Sequence, residues 1–108
     1  MTREEQRAIN NKAYAIFNSA INEWDKDGET NRFKLCCCQA EVICTTNYDI
    51  LCSYETLIAC IEKSTGTLVD VLRTEYGYTN TSAQHIRKFA RQYFGDHYYP
   101  KTLVSRPV

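Results

Sequence analysis

Apolar positions recur at spacings of three and four over the first 27 residues, at Ile9, Ala13, Ile16, Phe17, Ala20 and Trp24. That period places them on one face and predicts an amphipathic helix over 1–27. Thr2 and Glu5 form a capping box at its start, each side chain satisfying a backbone donor that the helix leaves orphaned. Asp27-Gly28 supplies the stop, because glycine accepts the left-handed conformation that ends helices. Arg7, Lys12, Asn18 and Asn22 make an unpatterned, solvated opposite face.

Beyond residue 32 the period shortens to two. Residues 33–45 read as a first strand, rich in types that favour extended backbone. On it Cys36, Cys38, Ala40, Val42 and Cys44 share one face as a row of small apolar side chains. Thr46-Asn47-Tyr48-Asp49 reads as a turn, since Asn and Asp bond their own backbone there. Residues 50–61 read as a second strand, apolar on both faces over 57–61, which suits the middle of a covered sheet. Lys63-Ser64-Thr65-Gly66 turns the chain, and 68–75 returns antiparallel, with Val69 and Val71 facing away from Asp70 and Thr74.

Gly77 breaks that third strand, and Asn80-Thr81 opens a second helix with Thr81 and Gln84 as its capping box. Ile86, Phe89, Ala90 and Tyr93 line its apolar face, Arg87, Lys88 and Arg91 face solvent, and it ends near Gly95. The tail from Tyr98 to Val108 reads as extended or as an extra edge strand. The order α-β-β-β-α predicts one α+β domain over 1–108, an antiparallel sheet covered by an N-terminal and a C-terminal helix.

Composition narrows the function. Thirteen basic residues balance thirteen acidic ones, so the dense carboxylate field of a DNA mimic is missing. From residue 81 onward five cations (Arg87, Lys88, Arg91, Lys101, Arg106) face one acid, Asp96, which makes a local basic patch. No signal-like segment or apolar run of roughly 20 residues is present. The expected location is therefore the cytosol, where the six cysteines stay reduced and pack as small hydrophobes. Zinc on Cys36, Cys38 and a distant partner is the minor alternative, because paired Cys-x-x-Cys spacing is absent. No cofactor or metal is expected.

His85, one turn into the second helix, is the first suspect for chemistry. Its expected role is structural, a hydrogen bond to Tyr78 or to a strand carbonyl, since no acid pair or phosphate loop accompanies it. Capping accounts for the hydroxyls of Thr79, Thr81 and Ser82 and for Asn80. Binding fits better than catalysis. Tyr76, Tyr78, Tyr93, Phe94, Tyr98 and Tyr99 crowd the second half beside the cations, and large rings with polar tips suit interfaces. The candidate binding residues are Arg87, Lys88, Arg91, Tyr98, Tyr99 and Lys101.

One stretch also carries a likeness. Ser53-Tyr54-Glu55-Thr56, Gly66-Thr67-Leu68 and Tyr78-Thr79-Asn80-Thr81-Ser82-Ala83-Gln84-His85-Ile86-Arg87-Lys88-Phe89 resemble a family of small bacteriophage and prophage proteins. Those proteins carry a Ser-Tyr-x-Thr strand start, a Gly-x-Leu return strand and a Tyr-Ser-x-Thr-Thr-Ser-x-His-Ile-x-x-Phe helix entry. Thr79 and Ser82 depart from the pattern but keep a hydroxyl, whereas Ala83 loses one. The resemblance covers residues 50–95 and gives a genetic context without a mechanism.

That context implies a phage-encoded, non-enzymatic protein that binds and inhibits a host protein. Its expected partner is a host defence protein such as a CRISPR effector nuclease, which would make it an anti-CRISPR inhibitor. A small nucleic-acid-binding regulator, and a sequestering binder of a nucleotide defence signal, stand as the alternatives.

Overall fold

A computed structural model describes residues 1–35, 39–95 and 101–108. The first helix, α1 (Arg3–Asp27), has Thr2 as its N-cap. Both bonds of the capping box form, Glu5 N–H to Thr2 Oγ1 at 3.1 Å and Thr2 N–H to Glu5 Oε1 at 3.4 Å. Gly28, at φ 74°, closes the other end by donating to Trp24 O at 2.8 Å. Ala13, Phe17 and Ala20 are buried, with Ile16 and Trp24 packed beside them, as the helical period requires.

Six strands follow: β1 (Asn31–Lys34), β2 (Ala40–Cys44), β3 (Tyr48–Ser53), β4 (Thr56–Glu62), β5 (Thr67–Asp70) and β6 (Lys101–Val104). They form one sheet in sequence order, antiparallel from β1 to β5, with β6 parallel to β5. A parallel neighbour needs a crossover, and a short helix α2 (Leu72–Glu75) and the long helix α3 (Asn80–Phe94) supply it. The molecule is thus a single α+β domain, a mostly antiparallel sheet between an N-terminal and a C-terminal helix.

Adjacent residues of the central strands divide between the two faces. Val42, Leu51, Ile61 and Leu68 face α3, where Ala83, Ile86 and Phe89 complete the core. Ile43, Ile50, Cys60 and Val69 face α1. A bulge at Ile58 against Leu51 sets Ile58 and Ala59 both toward α3. It adds one residue to β4 and bends the strand.

The structure corrects several boundaries. The expected strand 33–45 is a hairpin of β1 and β2, closed by Leu35 N–H to Ala40 O at 2.8 Å. No glycine or asparagine marks that turn. Cys36, Cys37 and Cys38 lie outside the described residues, while Ala40, Val42 and Cys44 do share the α3 face. The expected turn 46–49 sits earlier, across 45–47, and Tyr48 and Asp49 open β3.

The expected strand 50–61 is likewise two strands. They join through Tyr54 (φ 49°) and Glu55 (φ 70°), and two positive φ values make the tight hairpin turn usually built from Asn-Gly. The strand expected over 68–75 stops at Asp70, whose carboxylate accepts from Leu72 N–H at 3.0 Å and starts α2. Thr79, not Thr81, caps α3, accepting from Ser82 N–H at 3.1 Å, so the Thr81–Gln84 box does not form. The tail does provide an edge strand, β6.

Candidate functional site

The sequence-predicted residues divide. Arg87 and Arg91 are exposed one turn apart on the outer side of α3, and Lys88, half-buried, lies between them. The helix brings these three together. Lys101 is exposed on β6 at the far edge of the sheet, and Tyr98 and Tyr99 lie outside the described residues. Around the start of α3 stand other rings. Tyr76 and Tyr78 are about half exposed, at 49% and 52%, and the Arg73 guanidinium lies 4.7 Å from the Tyr78 ring centre. At the β3–β4 turn the Tyr54 ring packs against His85 at 5.8 Å.

His85 itself is sealed. Its Nδ1 is 2.7 Å from Ser53 Oγ, which also meets Ser82 Oγ at 3.1 Å, and all three side chains are buried. The partner is thus a strand hydroxyl, in place of the expected Tyr78 or carbonyl. Serine beside histidine suggests a nucleophile and base, but neither group is open to a substrate. What the trio does is bolt α3 to β3. Burial, and then the charge of Lys88, pull the His85 pKa below the ordinary 6.5.

The unfolded chain therefore takes up a proton near pH 6.5 that the fold still refuses, and stability falls as pH drops through that window. Urea midpoints measured from pH 7.5 to 5 should decline, and His85→Asn, which does not titrate, should flatten that slope. Equal slopes in both proteins would show that His85 is not held neutral.

A second buried polar cluster was not legible as such. Asp49 is 2% exposed, opposite Cys44 on β2 and Ile61 on β4. Among the described residues none donates a hydrogen bond to its Oδ1, and Lys63 Nζ stands 3.5 Å away as an ion-pair partner. Lys63 Nζ also donates to Thr45 O at 2.8 Å. The Tyr93 hydroxyl and the Cys44 thiol are held protonated, first by burial and then by hydrogen bonding to Asp49, and the Cys44 pKa is pushed up to about 11. From the α1 side Glu23 binds the same turn, accepting from Thr45 Oγ1, from Asn47 N–H at 2.9 Å and from Asn47 Nδ2 at 2.6 Å. Glu23 thereby ties α1 to the 45–47 turn, and Tyr93 ties α3 to Asp49 at the start of β3.

The third feature is a cleft of about 700 Å³ on the α1 face of the sheet. Helix α1 lies across β3 to β6. Beyond its end, Ile43, Cys52 and Leu57 floor the cleft, with Trp24, Arg32 and Tyr54 among its walls. Its volume falls within the range of small-ligand sites. Arg32 Nε and Nη2 each bond to Glu29 at 2.8 Å, and Nη1 bonds to Glu41 at 3.0 Å. The guanidinium lies 5.8 Å from the Trp24 ring centre. Burial raises the Cys52 thiol pKa, so that sulfur is neutral and a poor nucleophile.

Reading 33–45 as one strand concealed this cleft. The signal available was the alternation of Arg32 and Lys34 with Phe33, mirrored by Glu41 with Val42.

Among the described residues no group of three His, Cys, Asp or Glu side chains is placed to hold a metal ion. No helix among them is long and apolar enough to cross a membrane. No curated protein and no solved structure matches the chain. A model of a family of unknown function, DUF8033, matches residues 7–104, nearly the whole of the fold described above, and the chain belongs to that family.

Proposed function

We propose that this is a non-enzymatic interaction protein that binds and inhibits a host protein, a phage-encoded anti-defence inhibitor of the anti-CRISPR kind. The observation that carries the reading is a contrast in exposure. Among the described residues, Ser53, His85, Asp49 and Cys60, side chains of the types used in acid–base or nucleophilic chemistry, are closed off in the core. Burial pushes the Cys60 thiol up to about 12, far from a reactive thiolate. The groups suited to binding are presented instead. Arg87 and Arg91 are exposed on α3, and Tyr54, Tyr76 and Tyr78 stand half exposed around its first turns. Tyrosine and arginine are the types enriched where interfaces concentrate their energy. The likeness to phage proteins supports the anti-defence context.

The test is an affinity pull-down from bacterial extract, with and without nuclease, read by mass spectrometry. A stoichiometric protein partner should survive nuclease. Arg87→Glu with Arg91→Glu should weaken that partner at least tenfold, about 1.4 kcal/mol or more, with the circular dichroism spectrum and melting temperature unchanged. Binding that is intact after charge reversal places the contact elsewhere. Partners that vanish with nuclease move the reading to nucleic acid.

A further inference from the structure

We propose that the outer edge of β1, beside the cleft, takes an extended acidic segment of a partner protein as an added β-strand. This site is separate from the α3 surface and does not depend on it.

Strand β1 ends the sheet, and among the described residues only β2 pairs with it. The bond from Leu35 N–H to Ala40 O fixes the phase of the ladder. Backbone groups alternate inward and outward along an antiparallel strand, so those of Arg32 and Lys34 point out from the sheet. Such an edge is a template for one more strand.

Charge selects the strand. Glu41 stands directly opposite Lys34 in the register, yet its carboxylate is committed on the diagonal to Arg32. Glu29 takes the other two Arg32 donors. Arg32 is thus held by two carboxylates, and Lys34 is the cation of β1 with no ion-pair partner among the described residues. A carboxylate on an incoming strand would supply it.

The same two cations argue against a second copy of this chain. A two-fold pairing of β1 with itself that keeps both faces sets Arg32 opposite Arg32, Arg32 opposite Lys34, or Lys34 opposite Lys34. Like charges directly opposed are destabilising. On the other face Phe33 is half-buried against the α3-side core, so an apolar residue suits the incoming strand there. The expected segment alternates acidic with apolar side chains, and the cleft floor of Ile43, Cys52 and Leu57 lies next to Arg32 and Lys34.

The probe is a fluorescein-labelled heptapeptide alternating Glu with Val, compared with its Lys/Val counterpart by anisotropy at low salt. The acidic peptide should bind at least tenfold more tightly. Lys34→Glu, which keeps the N–H, should weaken it at least tenfold. Lys34→Pro, which removes both the ammonium and an outward backbone donor, should abolish binding, while Lys34→Thr, which removes the ammonium and keeps the N–H, retains part of it. Arg87→Glu with Arg91→Glu should change nothing, so that failure here and failure of the α3 reading remain distinct. Circular dichroism checks that each variant is folded. Equal or absent binding of the two peptides overturns the proposal, as does full affinity in folded Lys34→Pro. A micromolar dimer in sedimentation that Lys34→Pro dissolves also overturns it, in favour of a second copy of the chain.

Discussion

Phe89→Ala should cost about 3–5 kcal/mol in urea unfolding, against the about 5–15 kcal/mol by which such domains are stable. Phe89 is wholly buried at the centre of the α3-side core, among residues that include Leu51, Ile58, Ile61 and Leu72. Removing the ring leaves a void, because a close-packed interior relaxes only in part. The damage spreads outward, since Tyr93 packs edge-on against Phe89 at 5.5 Å and reaches Asp49. Partner binding should fall with it, because Arg87 and Arg91 ride on the same helix. A loss below about 1 kcal/mol would mean that the core closes around the gap.

Lys63→Met should destabilise by about 2–3 kcal/mol at pH 7, more than its own exposure suggests. An ordinary surface pair contributes little. Here the other member is a buried carboxylate whose Oδ1 has no hydrogen bond among the described residues, so removing the ammonium takes away the opposite charge that they place beside it. Adding Asp49→Asn to Lys63→Met should recover about half of the loss, because the double variant buries no charge. Chemical denaturation of both single variants and of the double variant closes the cycle. Additive costs would show that Lys63 acts only through its bond to Thr45 O, and the ion pair would then contribute nothing.

The helices were legible because their signals are local. A capping box, a period of 3.6 and a closing glycine all fall within α1, and the apolar face of α3 is equally plain. The sheet was legible in outline, including the central place of 57–61, yet its turns were not. Tyr54-Glu55 turns the chain with two non-glycine residues in left-handed backbone. Tyr54 is held there by its N–H bond to Gln39 O at 2.8 Å and by the His85 ring, contacts far away in sequence. Asp49 looked like turn chemistry because its partners Lys63 and Tyr93 arrive from other elements. Of the expected binding residues, helical spacing alone assembled Arg87, Lys88 and Arg91. The cleft needed the β1–β2 hairpin, which no punctuating residue announces.

Gln6 is a polar residue buried on α1 because its Nε2 donates to Val104 O at 3.0 Å. One turn on, Asn10 accepts from Arg106 N–H at 3.0 Å and donates to Arg106 O at 2.7 Å. The first turns of the chain are thereby laced to its last strand, and residues 1–3 and 106–108 border one hollow. An affinity handle fused at either end of these 108 residues therefore departs from the same corner of the molecule. Moving a tag from one end to the other would not change which surface it shadows. A control for tag interference in the capture experiment has to come from an internal loop instead.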